Sequence, residues 1–278
     1  MGDSRAEREG RGVARAACAL AGLASVLAIP GPASAADRAA LITLWEIQPP
    51  TAPAGEGHVK DGETVLRQTL LPTGLAVLDA DVANATGSRL VAKAGSQLIE
   101  ATTNGGAIYC ALATMRADKK TGALSENRGG TTLCLHDSES NGRFESVFEM
   151  PVGTGLAMIQ GQVPKKVRPV DVGYRTRPVG EVQGDFWVGI RYEQYFNIYG
   201  NRMFFTDFGG RGQTQSLTDF AKFKAKGAFP QSVNVSGARF TVLAADQDGV
   251  RLRTDAPMPT GPFAVTTYTT TTFIPISY

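Results

Sequence analysis

The chain is expected to be all-β: an antiparallel β-sandwich or barrel-like body, turn-rich, with at most one or two short helices. Three observations predict this. Short apolar runs are separated by turn residues roughly every 8 to 12 positions. Glycine (32) and proline (15) are frequent in the 278 residues, while charged residues make up only 19%, a globular composition and not a disordered one. The central and C-terminal segments also alternate apolar and polar side chains with the period of a strand.

The first 35 residues stand apart. Arg5, Arg8, Arg11 and Arg15 precede an apolar run from Ala16 to Ile29, a Pro30-Gly31-Pro32 break and Ala33-Ser34-Ala35. Basic start, short apolar run and small-residue cleavage site read as a secretory signal peptide. At about 14 residues the run falls short of the roughly 20 needed to span a bilayer. This predicts export, to the periplasm or the cell exterior. Alanine-rich, arginine-favouring usage points to a bacterial source. Cys18 has Arg15 where a lipoprotein signal would carry a leucine-like residue, so no lipid anchor is expected. No later run of 18 apolar residues occurs, so no transmembrane helix is expected in the mature chain.

Residues 36–63 read as an N-terminal strand (Leu41–Glu46) and a proline-rich linker around Pro49, Pro50 and Pro53. The body spans 64–278. Strands are expected at Thr64–Leu71, Leu75–Val82, Arg89–Lys93, Gln97–Thr102 and Ala107–Arg116, each closed by a turn or loop. Thr131–Asp137 and Arg143–Met150 form a hairpin about Asn141-Gly142. In that register Leu135 faces Phe148 and Leu133 faces Met150, which places all four on one face. The extended connector 162–170 is the expected division between two packed halves. In the second half, strands are expected at Val170–Arg175, Asp185–Tyr195, Arg239–Ala245 and Val250–Thr254. Asp207 to Gly212 reads as a loop. Ser216, Leu217, Phe220 and Ala221, with Asp219 at capping-box spacing and Gly227 as a stop, predict the one helix.

Chemistry is sparse. Cys110 and Cys134 are the cysteines left after export, and in an oxidising compartment they are expected to pair. Such a loop would stabilise the fold by about 3–4 kcal/mol. Asp137, Glu139, Asn141 and Glu145 stand at positions 1, 3, 5 and 9 of a calcium-type loop, with Gly142 at position 6. Position 12 is Phe148, where an EF-hand needs a glutamate. What survives is a looser, strand-flanked calcium loop, weighed against a solvated turn, which the residue types favour. No other cofactor is implied.

His58 lies in a glycine-rich stretch and His136 beside Asp137. Neither has the partners of a hydrolytic triad or a catalytic zinc site, and no catalytic residue is assigned. Asp207-Phe208-Gly209 lacks the kinase and P-loop context. Asp185, Glu193 and Asp207 lie among aromatics including Trp187, Phe205 and Tyr195, a mixture that would suit a carbohydrate. The strand alternation of Phe186, Val188, Ile190 and Tyr192 is better explained as core. A net charge of +2 with no concentrated basic face argues against nucleic acid.

The leading expectation is a non-enzymatic envelope or extracellular binding or structural protein, with an envelope component or a carbohydrate as its partner. The alternatives are a carbohydrate-active enzyme using Asp/Glu carboxylates and a small outer-membrane β-barrel. The latter rests on the alternation of Ile274, Ile276 and the terminal Tyr278, although Pro275 interrupts it.

Overall fold

The computed structural model describes residues 40–51, 55–84, 89–102, 106–152, 158–194 and 201–265. The expected signal segment, Tyr195, and Ile274, Ile276 and Tyr278 lie outside these residues. Among the described residues there is no α-helix, only a 3-10 turn at Val179–Glu181, and no helix is long and apolar enough to cross a membrane.

The strands run in chain order as follows. Ala40–Thr43 (β1), Trp45–Ile47 (β2), Glu56–Lys60 (β3) and Thr64–Pro72 (β4) come first. Leu75–Leu78 (β5), Val82–Ala83 (β6), Leu90–Ala92 (β7), Gln97–Thr102 (β8) and Ala107–Ala111 (β9) follow. Met115–Ala117 (β10), Leu124–Glu126 (β11), Thr131–Asp137 (β12), Arg143–Pro151 (β13), Gln160–Gln162 (β14) and Arg168–Arg177 (β15) complete the first part. Trp187–Glu193 (β16), Asn201–Gly210 (β17), Gln213–Lys224 (β18), Gln231–Val235 (β19), Ala238–Ala245 (β20), Gly249–Ala256 (β21) and Gly261–Phe263 (β22) form the rest.

Six strands close into an antiparallel barrel in the order β8-β5-β15-β13-β12-β9, with β9 returning to β8. Closure leaves these strands without a free edge. The interior is apolar: Leu78, Leu98, Leu133, Leu135, Phe144, Val147 and Val172 fill it. β1 and β14 extend the sheet, and Leu41 and Ile159 cover part of the barrel's outer side over Ile108, Phe148 and Met150. The strands β11-β10-β7-β6 form a small separate sheet, and Val82, Leu90 and Ala92 from it join the barrel core.

A six-stranded sheet, β18-β17-β16-β4-β2-β22, packs with a four-stranded sheet, β19-β20-β21-β3. Their common core carries Trp45, Phe186, Tyr192, Phe204 and Phe240, and Phe204 stacks on Phe240 with ring centroids 5.7 Å apart. Leu75 and Ile99, which point outward from the barrel, belong to this second core. The connector between β14 and β15 runs within the barrel's own sheet; β2, β3 and β4 already lie in the second pair of sheets, and the chain returns there through residues 178–186.

Three local expectations are corrected. The β12–β13 hairpin pairs Cys134 with Phe148, Leu135 with Val147 and Thr132 with Met150, one residue away from the expected register. Leu133 and Leu135 point into the barrel, whereas Phe148 and Met150 point outward beneath Leu41 and Ile159. Both faces are buried, so the grouping of apolar side chains no longer identifies one inner face.

The expected helix at Ser216–Gly227 is instead strand β18. Leu217 and Ala221 pack on the core while Phe220 lies on the opposite face, 49% exposed, so the helix-like spacing combines residues from two faces of a strand. Ser216 and Asp219 do not cap a helix; Ser216 donates to Asp207 and Asp219 accepts from Ser236.

Asp207–Gly210 also lies in a strand, with the turn confined to Arg211-Gly212, both at positive φ. Gly210 lies under the Phe186 ring, where a Cβ would collide. His58 sits on β3, opposite Arg251 of β21.

Candidate functional site

The acidic hairpin end gathers the carboxylates at the close of β12. β12 ends in Asp137, whose side chain is fully buried. Its Oδ1 accepts from the Asn141 amide at 3.1 Å. Its Oδ2 accepts from the Gly142 amide at 3.0 Å and from the Tyr174 hydroxyl at 2.9 Å. Burial alone would raise this carboxyl's pKa, but the bonds from Tyr174, Gly142 and Asn141 outweigh it and hold the group below its ordinary 3.8. Tyr174 is shifted the other way: burial, then the bond to Asp137, push its hydroxyl above the ordinary 10.0.

The other expected calcium ligands are committed locally. Glu145 Oε2 accepts from the Ser138 amide and hydroxyl at 2.8 and 3.2 Å. Glu139 accepts from the Asn141 side chain at 3.0 Å, and Asn141 Oδ1 accepts from the Arg143 amide at 2.8 Å. The turn brings all four residues near one another and directs most of their oxygens onto N–H and O–H donors; Glu145 Oε1 is buried without a hydrogen-bond partner among the described residues. Among the described residues, no group of three or more His, Cys, Asp or Glu side chains is arranged to hold a metal. Directly beyond this turn, Cys134 pairs across the ladder with Cys110, and the two form a disulfide. Both cysteines are fully buried.

The outward face of the six-stranded sheet has a different character. Cross-strand pairing aligns Thr69, Trp187, Gly209 and Thr214 in one row. The next row is Arg67, Gly189, Asp207 and Ser216, and beyond it lie Arg191, Phe205 and Phe220. Trp187 is half-buried because its two near neighbours are glycines. A Cβ at Gly189 or Gly209 would come within 3.2 Å of the indole. The Arg67 guanidinium stacks 4.6 Å from the Trp187 ring centroid, and Asp185 accepts from Arg67 at 2.5 Å. Phe205 and Phe220 pair at 5.9 Å, with the Arg191 guanidinium 5.4 Å from the Phe205 ring centroid.

All three carboxylates singled out from the sequence lie here. Arg191 Nε donates to Asp207 at 2.6 Å and Nη1 to Glu193 at 2.8 Å. The Asp207 bond is the largest influence raising the Arg191 pKa, against the burial that lowers it. A glycosidase places its sugar between two carboxyl groups; between Asp207 and Glu193 stands a guanidinium. The face presents aromatic surface and fixed donors and acceptors, with both arginines paired to carboxylates. Phe205 and Phe220 were legible as aromatics, but their shared outer face depended on reading β18 as a strand.

The remaining candidates have local roles. His58 Nε2 lies 3.5 Å from Asp246 at the surface. The chain matches no protein-family model, and neither a curated protein nor a solved structure matches it.

Proposed function

We propose that this is an exported binding protein without a catalytic step, and that the outward face of the six-stranded sheet holds a polysaccharide of the envelope or the surroundings. The observation that carries the reading is the partly exposed aromatic set Trp187, Phe205 and Phe220 within a field of paired charges. Aromatic faces offer apolar surface to the C–H faces of sugar rings, while neighbouring polar groups take up hydroxyls. Arg67 pairs with Asp185, and Arg191 with Asp207 and Glu193; Lys222, in the cross-strand row of Glu193, offsets the third carboxylate, and a face so close to neutral suits an uncharged polymer. Export is supported by the pattern of residues 1–35 and by the disulfide.

Affinity electrophoresis through gels containing a soluble neutral β-glucan tests this reading. The wild-type chain should be retarded. Trp187→Ala and Phe220→Ala should each weaken retention by about tenfold, a loss of the order of one aromatic contact. No reducing ends should accumulate. Unchanged retention in both variants, or hydrolysis of the glucan, would overturn the proposal.

A further inference from the structure

A second surface, independent of the aromatic face, carries its own chemistry. Where β5 and β15 leave the barrel beside the crossover to the second pair of sheets, a pocket of about 310 Å³ opens. This is near the lower end of small-ligand sites, which favour seams of this kind. Val77 and Gly95 contribute its apolar lining, and Arg175 and Arg177 its cationic side. On β15, Val172 and Tyr174 pack with the barrel core, so Arg175 and Arg177 share the outward face, about 7 Å apart along the strand.

Both guanidinium groups are held in place. Arg175 Nε donates to Asp79 Oδ1 at 2.8 Å. Arg177 Nε and Nη2 both donate to Glu181 Oε2, at 2.9 and 2.6 Å. The short 3-10 turn that carries Glu181 is tied down in turn by Gln97. Its Nε2 donates to the Glu181 carbonyl at 2.8 Å, and its Oε1 accepts from the Gln183 amide at 2.6 Å. The Arg175 Nη groups make no hydrogen bond among the described residues. Each arginine is thus paired with one carboxylate, Arg175 with Asp79 and Arg177 with Glu181, and the anion-binding capacity lies in the unbonded Nη edge of Arg175, which is turned to solvent.

We propose that this pocket binds a small oxyanion, the carboxylate or phosphate of a sugar-sized ligand. An arginine fork matches either group with two parallel hydrogen bonds. The carboxylates of Asp79 and Glu181 hold the two arginines in place, which reduces the side-chain ordering lost on binding. The methyl groups of Val77 offer the ligand's carbon skeleton an apolar contact.

Titration of the isotope-labelled protein with glucuronate, glucose 6-phosphate, inorganic phosphate and glucose tests the site. The resonances of Gly95, Gln97 and Arg175 should move with glucuronate or with the phosphates, and at least about tenfold more weakly with glucose. A preference for glucuronate assigns a carboxylate ligand, and a preference for the phosphates assigns a phosphate ligand. The double variant Arg175→Gln/Arg177→Gln should weaken binding by at least about tenfold. Asp79→Asn keeps an amide oxygen to accept from Arg175 Nε, so the guanidinium stays positioned while the competing negative charge is lost; binding should tighten by about two- to fivefold, a gain that a misfolded chain would not give. Equal response to glucose, no response to any charged probe at millimolar concentration, or full binding by the double variant would each overturn the proposal.

Discussion

Strand β13 in the barrel and strand β17 in the six-stranded sheet use the same alternating chemistry to different ends. In β13, the adjacent residues Val147 and Phe148 are both buried, one inside the barrel and one beneath Leu41 and Ile159. In β17, Phe204 is fully buried, while its neighbour Phe205 looks out onto the aromatic face. A strand covered on one side announces its inner face by alternation. A strand covered on both sides does not, because each parity carries apolar residues for a different core.

The most direct way to break this comparison is alanine scanning of the neighbouring pairs, read as urea midpoints at constant m-value. Phe204→Ala and Phe148→Ala should each cost about 3–5 kcal/mol, and Val147→Ala about 2 kcal/mol. Phe205→Ala should cost less than about 1 kcal/mol. If Phe205→Ala is as costly as Phe204→Ala, the sheet is not one-faced. If Phe148→Ala is nearly silent, the outer side of the barrel is not covered.

Next in size is the disulfide on the barrel's outer side. Replacing Cys110 and Cys134 together by alanine should lower stability by about 3–4 kcal/mol, from the loop of 24-residue separation that the bond closes. A smaller loss, under about 1 kcal/mol, would mean that the ladder alone fixes these two strands.

Asp137→Asn should cost about 2–3 kcal/mol, because an amide presents a donor to at least one of the donors that now meet a carboxylate. A neutral outcome would show that the hairpin end does not depend on the ionised side chain.

The smallest effect is the pH dependence of the same pair. Asp137 has a lowered folded pKa, so its contribution is complete above the ordinary 3.8 and is lost as pH falls through the folded value. Tyr174 has a raised folded pKa, so its contribution is complete below 10.0 and is lost as pH rises through the folded value. Melting temperature against pH should therefore fall at both ends, and Tyr174→Phe should remove the tyrosine part of the alkaline fall. Parallel wild-type and variant curves throughout would remove the Asp137–Tyr174 bond from the account.

The aromatic face was half legible. Phe186, Val188, Ile190 and Tyr192 declare a core face by alternation alone, and Trp187 and Arg191 are then outward by parity. Phe220 was misplaced because its spacing from Leu217 and Ala221 imitates a helix, and only pairing with β17 separates it from them. The arginine pocket left no local signal beyond Arg175-x-Arg177. Gln97 and Glu181 reach it from 78 or more positions along the chain on one side and from the crossover on the other.

From the residues alone came the all-β class, the turn-rich antiparallel character and the Cys110–Cys134 bond, since turn chemistry, strand period and cysteine number are local or countable properties. The closure of six strands into a barrel, the one-residue shift of the β12–β13 register and the conversion of a helix-like segment into β18 were decided by tertiary structure. The physical reason is common to all three. A period of two states which side chains share a face, but which strand lies alongside, and whether the second face is also covered, depends on backbone hydrogen bonds and packing between segments far apart in the chain.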